Sequence, residues 1–258
     1  MPRRALAGLL LCLAFVAPAQ AAGDRILLLA AASLQQPLNR IADGFTAATG
    51  VAVIRSYGSS GGLARQAASG APAHLYISAS EQWADWLASR PGDFVAARAV
   101  LAGNRLALIQ PRDAPEALAL GPGLPAALAD GRLAIGDPLH VPAGIYARAA
   151  LRKLGLWESL RGRLALMPDV RGALAMVERG ETPAAIVYRS DALASRKVRV
   201  AEVAPAELHP PIRYVVMLLA AGDGSAVPAG ARTFYDWLLS PAAGEILLAA
   251  GFTRPDTP

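Results

Sequence analysis

The chain is almost without cysteine: among 258 residues only Cys12 occurs, inside the apolar run near the start. Disulfide frameworks and thiol chemistry are therefore excluded for everything after that run. Histidine is equally scarce. His74, His140 and His209 stand far apart and form no H-x-x-x-H or H-E-x-x-H pair, so a protein-ligated metal ion has no support. Aromatic residues are 6% of the chain and no Lys/Arg run exceeds two residues, which argues against a nucleic-acid surface. The formal net charge of +5 owes part of its value to Arg3 and Arg4, leaving a mildly basic, unpatterned remainder.

What is present first is a leader. MPRRALAGLLLCLAFVAPAQAAG combines two arginines, an apolar run from Ala5 to about Val16, and Ala19 and Ala21 in an A-x-A arrangement. This predicts a secretory signal over residues 1–22, cut near Ala21 or Ala22. The run is too short for a membrane anchor, and the leucines before Cys12 match a lipoprotein site poorly. The mature chain is expected to be exported, soluble and free of cysteine, and long enough for two modest domains or one large one.

Five apolar stretches read as strands: RILLLAA (25–31), VAVIRSY (51–57), LYISA (75–79), LALIQ (106–110) and RLAIGD (132–137). Segments of helical period lie between them, among them LQQPLNRIADGFTAATG and EQWADWLASRPG, each closed by a glycine suited to a left-handed cap. Further on, AGIYARAALRKLGLWESL reads as one helix, RGALAMVERGE as another and AAIVYRS as a strand. The alternation predicts an α/β protein with mostly parallel sheets. IRYVVMLLA, a late strand before terminal helices, suggests that the chain returns to its first domain, giving two crossings, a hinge and a cleft.

Four strand-to-helix turns share one character. Ser33 in AAASLQQPL reads as an N-cap, Ser59 and Ser60 precede a helix, Pro142 fits a first helical turn, and Asp169 reads as the N-cap before Val170 and Arg171. Each turn exposes unpaired N–H groups at the positive end of a helix, so several together could hold a small dianion without a cation. Ser and Asp are also ordinary caps, but glycine and serine together at 58–62 exceed what capping needs. Gly58-Ser59-Ser60-Gly61-Gly62 equally matches the G-x-S-x-G nucleophile elbow, with Asp137, Asp169, Asp191 and His209 downstream in the right order. Against that elbow, no HGGG-type segment precedes it. A P-loop fails because no Lys-Ser or Lys-Thr follows the glycines.

AAASL, GSSGGLARQ, GAPAHLYISASEQWADWL, AIGDPLHVPAGIYARAALRKLGLWESL and DVRGALAMVERGETPAAIVYRSDA, in that order from about 25 to 253, resemble the periplasmic molybdate-binding proteins of ABC importers. The resemblance implies a two-lobed periplasmic-binding-protein fold of type II, closing on molybdate or tungstate, with no cofactor and no catalysis. It implies lobes of 23–104 plus 213–258 and of 105–212. It places Ser33 and Ser60 (hydroxyls and amides), the amides of Ala143 and Val170, and the phenol of Tyr188 on the oxyanion. The implied partners are an inner-membrane ABC permease and its ATPase, met by a periplasmic monomer that neither spans the membrane nor binds nucleic acid. His74, where the family commonly has Asp, and Gln35 depart from its pattern outside these contacts, so altered bonding near the first lobe is expected rather than another ligand.

A site of donors alone is selective. Molybdate, tungstate and sulfate only accept near neutral pH, whereas hydrogen phosphate carries a proton that would go unpaired, at about 1 to 3 kcal/mol. Sulfate must be rejected by size, and a binder of sulfate or another tetrahedral oxyanion is the alternative reading; tungstate is too similar to molybdate to separate. Asp169 is expected to turn back onto its own helix, since a carboxylate beside a dianion is repelled. Arg65, Arg171 and Arg189 are expected at the rim or in surface salt bridges, steering rather than binding. Tyr188 has a plainer alternative as a half-buried strand aromatic.

Overall fold

Residue pattern explains most elements of the computed structural model, which describes residues 25–91, 95–220 and 226–255. The predicted leader, residues 1–22, lies outside these. In chain order come β1 (Arg25–Ala31), a 3-10 turn (Ala32–Leu34), α1 (Gln35–Thr49), β2 (Ala52–Gly58), α2 (Ser60–Ala68), β3 (Leu75–Ser78) and α3 (Glu81–Ala88). Next are β4 (Val95–Gly103), β5 (Leu106–Pro111), α4 (Leu124–Ala127), β6 (Leu133–Gly136), α5 (Pro142–Lys153) and α6 (Trp157–Leu160). Then follow β7 (Leu164–Met167), α7 (Val170–Glu178), β8 (Ala184–Tyr188), α8 (Arg189–Leu193), β9 (Val198–Val203), β10 (Arg213–Leu219), α9 (Ala229–Leu238) and α10 (Pro241–Ala249).

The helices bury one face each. In α1, Leu38, Ile41, Ala42 and Phe45 recur at helical spacing and are buried, and Gly50 ends the helix at φ +75. In α9, Ala231, Phe234, Tyr235 and Leu238 repeat the spacing, and the rings of Phe45 and Phe234 meet edge-on at 4.9 Å.

Two expectations change here. The run from Ala143 to Leu160 is two helices, because α5 stops at Lys153 and Gly155 takes φ +71. Likewise α3 ends on Ser89 in a right-handed conformation, not on a glycine cap.

The strands form two five-stranded sheets, β2-β1-β3-β10-β4 and β7-β6-β8-β5-β9. In each, four strands run one way and one runs against both its neighbours: β10 in the first, β5 in the second. In both sheets the reversed strand is the one by which the chain arrives from the other sheet, after Asn104 and Arg105 in one direction and after 204–212 in the other.

Register then sets the edges. Ala31 pairs with Gly58 and Ala30 with Ile77, so β1, β2 and β3 end side by side. Gly136 pairs with Met167 and Ala134 with Ala185, which aligns the ends of β6, β7 and β8. Carboxyl ends of parallel strands are where α/β sheets leave a crevice for ligands.

Candidate functional site

The two carboxyl edges face each other across a small cavity of about 10 Å³. From the first sheet it is lined by Ser33 after β1, Gly58 at the end of β2, Ser59 and Ser60 after it, and Ala79 after β3. From the second come Val141, Pro142 and Ala143 after β6, Asp169 and Val170 after β7, and Tyr188 at the end of β8. All five sequence-predicted residues, Ser33, Ser60, Ala143, Val170 and Tyr188, therefore border one space, and each is buried. Ala79 was not anticipated. Its signal was its place, one residue beyond a strand aligned with two others that already carried candidates.

Helix starts supply the cavity's polarity. Ser59 caps α2 by accepting the Gly62 amide at 3.2 Å, and Asp169 caps α7 by accepting the Gly172 amide at 2.9 Å. Each such cap contributes about 1 kcal/mol. The Asp169 carboxylate is thus turned onto its own helix, as expected. With Pro142 heading α5, Ala143 stands in its first turn, and Val170 begins α7; neither amide has an acceptor inside its helix. Gly144 lets α5 start this close to β6, since a Cβ there would lie 1.8 Å from the Gly136 carbonyl oxygen.

Ser33 is not an N-cap. It lies within the 3-10 turn, the N-cap of α1 is Leu34 with no side-chain cap, and the Ser33 Oγ sits 2.7 Å from the Tyr214 Oη. A buried phenol has taken the hydroxyl that the helix start would have used.

The hydroxyls are set to donate. Ser60 Oγ accepts the Ala79 amide at 3.0 Å, so its own proton points elsewhere. Tyr188 is fully buried, and its Oη has no hydrogen-bond partner among the described residues. Burial holds that phenol well above its ordinary pKa, so it stays protonated. Tyr188 is a strand aromatic at the end of β8, but fully rather than half buried. An orphaned buried hydroxyl costs about 1 to 3 kcal/mol unless something accepts from it, which a ligand oxygen in this cavity would do.

Among the described residues no cation borders the cavity. The Arg65 guanidinium lies 5.4 Å from the Trp83 ring centre. Arg171 is not in a surface salt bridge: it reaches the fully buried Asp191 at 3.5 Å, and it lines a separate pocket that also borders Ser33. Burial nonetheless outweighs that guanidinium and lifts the Asp191 carboxyl to about 7.

The nucleophile-elbow arrangement is not assembled. The partner of Ser60 Oγ is an amide rather than an imidazole, while His209 Nδ1 lies 2.8 Å from the Pro210 carbonyl and its ring packs on Tyr146. His74 accepts the Leu27 amide at 3.1 Å, at the far end of β1 and β3 from the cavity. Among the described residues no cluster of His, Cys, Asp and Glu could hold a metal ion.

Two mixed α/β sheets, joined twice and meeting at their carboxyl edges around a small donor-lined cavity, define a two-lobed solute-binding protein of type II. The chain belongs to the bacterial extracellular solute-binding protein family, which it matches over residues 26–253. It is 42% identical over 250 residues to the molybdate-binding protein ModA of Escherichia coli (strain K12), covering 96% of each chain. It is 40% identical to the molybdate-binding protein ModA of Haemophilus influenzae, over 90% of this chain and 91% of that one. Among solved structures it resembles the Azotobacter vinelandii periplasmic molybdate-binding protein, with a TM-score of 0.78 and 24% identity, over 90% of this chain and all of the other.

Proposed function

We propose that this protein binds molybdate, and tungstate as well, in the periplasm and delivers the anion to an inner-membrane ABC permease and its ATPase. Relatives named for molybdate binding supply the ligand class. The observation that carries the reading to this chain is the cavity itself: hydroxyls of Ser33, Ser60 and Tyr188 with the first amides of α5 and α7, and no cation among the described lining residues. Charge-assisted bonds from neutral donors are roughly twice as strong as neutral pairs, and helix starts add their dipoles.

In this reading residues 23–104 with 213–258 form one lobe and 105–212 the other, and the anion holds the closed form by touching both. The protein acts as a monomer after loss of its leader near Ala21 or Ala22, and Ser60 is a donor rather than a nucleophile. No described helix is long and apolar enough to cross a membrane.

Titration calorimetry of the mature protein with molybdate, tungstate, sulfate and phosphate tests this. Tight molybdate and tungstate binding with weak or absent sulfate is expected. Tight sulfate binding without a molybdate signal would refute it, and hydrolysis of an activated ester lost on Ser60→Ala would restore the enzyme reading.

A further inference from the structure

The buried pair Ser33 and Tyr214 has a direction. Their hydroxyl oxygens lie 2.7 Å apart, and each carries one proton. If Ser33 spends its proton on Tyr214, none remains for the cavity; if Tyr214 donates, the Ser33 proton is free. Asn104 decides. Its Oδ1 accepts the Arg105 amide at 2.8 Å, which fixes the orientation of its amide. The Nδ2, a donor only, then reaches Ser190 Oγ at 2.8 Å and Tyr214 Oη at 3.3 Å. Tyr214 accepts from Asn104, and Ser33 Oγ, at 2.7 Å, is the near acceptor for its own proton. Were Ser33 the donor instead, a fully buried phenol proton would be orphaned.

We propose that Tyr214 is a positioning residue, relaying the donor direction of the Asn104 amide to Ser33 so that the Ser33 proton always points into the cavity. This rests on the cavity being an oxyanion site, and it explains how a hydroxyl, able to accept as well as donate, is restricted to donating. Burial keeps the Tyr214 phenol protonated well above its ordinary range, so the relay does not titrate near neutral pH. It is also placed where the two sheets join. Asn104 lies in the first crossing, Tyr214 is the second residue of the strand after the second, and Ser190 belongs to α8 beside the second sheet.

The test is molybdate calorimetry on four proteins: wild type, Asn104→Asp, Tyr214→Phe and the double variant, each checked for folding by circular dichroism. Asn104→Asp replaces the donor by an acceptor, so Tyr214 donates backwards, Ser33 follows, and the anion meets a lone pair; affinity should fall about a hundredfold. Tyr214→Phe cuts the relay and should cost about tenfold. In the double variant the carboxylate has no hydroxyl to act through, so binding should return to the Tyr214→Phe level, tighter than Asn104→Asp alone. Losses that multiply overturn the proposal, because a packing defect or simple repulsion by the carboxylate would persist.

Should Asn104→Asp fail to fold, Tyr214→Phe decides by selectivity. Its Ser33 hydroxyl is free to turn and accept, so phosphate should displace molybdate about tenfold more readily, relative to molybdate affinity, than in wild type. A variant that phosphate still cannot enter, or that loses both ligands in proportion, overturns the relay. A wild type without molybdate binding would instead sink the oxyanion reading, and the relay with it.

Discussion

The Gly61 amide donates to the His140 carbonyl at 3.1 Å, joining the start of α2 beside the first sheet to the turn before α5 beside the second. Gly61 is the residue that permits this approach. A Cβ there would lie 2.5 Å from the Trp83 ring and 2.7 Å from the His140 oxygen.

Gly61→Ala should therefore hold the cleft partly open. Losing the bond and forcing the contact apart is expected to weaken molybdate binding by about 1 to 3 kcal/mol, because the competent closed state becomes less populated. Calorimetry measures the loss, and small-angle scattering should show a larger radius of gyration with ligand present. Unchanged affinity would mean the bond is incidental to closure.

Ser60→Ala and Tyr188→Phe should separate binding from stability. Both remove a donor from the cavity and should each cost about 1 to 3 kcal/mol of molybdate affinity. Ser60→Ala also strands the Ala79 amide, so the ligand-free protein should lose stability. Tyr188→Phe deletes an oxygen with no partner, so ligand-free stability should hold or rise. Denaturant midpoints beside titrations give the comparison; a Tyr188→Phe protein that melts early yet binds normally would contradict it.

Asp191 predicts a pH dependence of stability. Burial raises its folded pKa to about 7, against an ordinary carboxylate near 4, despite Arg171 pulling the other way. Between those values the folded chain holds a proton that the unfolded chain has released. Its contribution is thus fully present below about pH 4 and is lost as pH rises through about 7, at most about 4 kcal/mol. Asp191→Asn has no such titration. The stability of wild type relative to the variant, from urea unfolding, should decline across that window; a gap independent of pH would show that Asp191 ionises normally.

Gly144→Ala should be severe. The added methyl would overlap the Gly136 carbonyl, backbone against backbone, so α5 must move off β6 and take Ala143 with it. A stability loss of about 3 kcal/mol or more is expected, read as a lower melting temperature, with molybdate affinity reduced alongside. A protein of wild-type melting temperature would show that α5 can shift freely.

The sequence displayed its strand ends and helix starts more clearly than its middle. Pro142, Asp169 and the serines at 59 and 60 carry local signals, since caps and first-turn prolines act within three residues. Three strands escaped notice. VAARAVLAG of β4 is rich in alanine, which favours no strand, LALM of β7 is only four residues, and VRVAEV of β9 has half-buried residues on both faces. Ser33 was misassigned as a cap because its true partner, Tyr214, is 181 residues away. Asn104 and Tyr214 offered no pattern at all: their meaning is which atom donates to which, and that exists only once the crossings are folded.

The strand order carries a final consequence for how the molecule is made. β10 lies between β3 and β4, so the first sheet has a gap in its interior until residues 213–219 arrive. The second sheet uses only 106–203, an unbroken stretch, and can complete itself earlier. For a chain delivered N-terminus first, the half that begins assembly is the half that finishes last, with β3 and β4 presenting open edges in the interval. Those edges, rather than the cavity, are where a chaperone or a wrong neighbour would find this protein before residues 213–219 take their place.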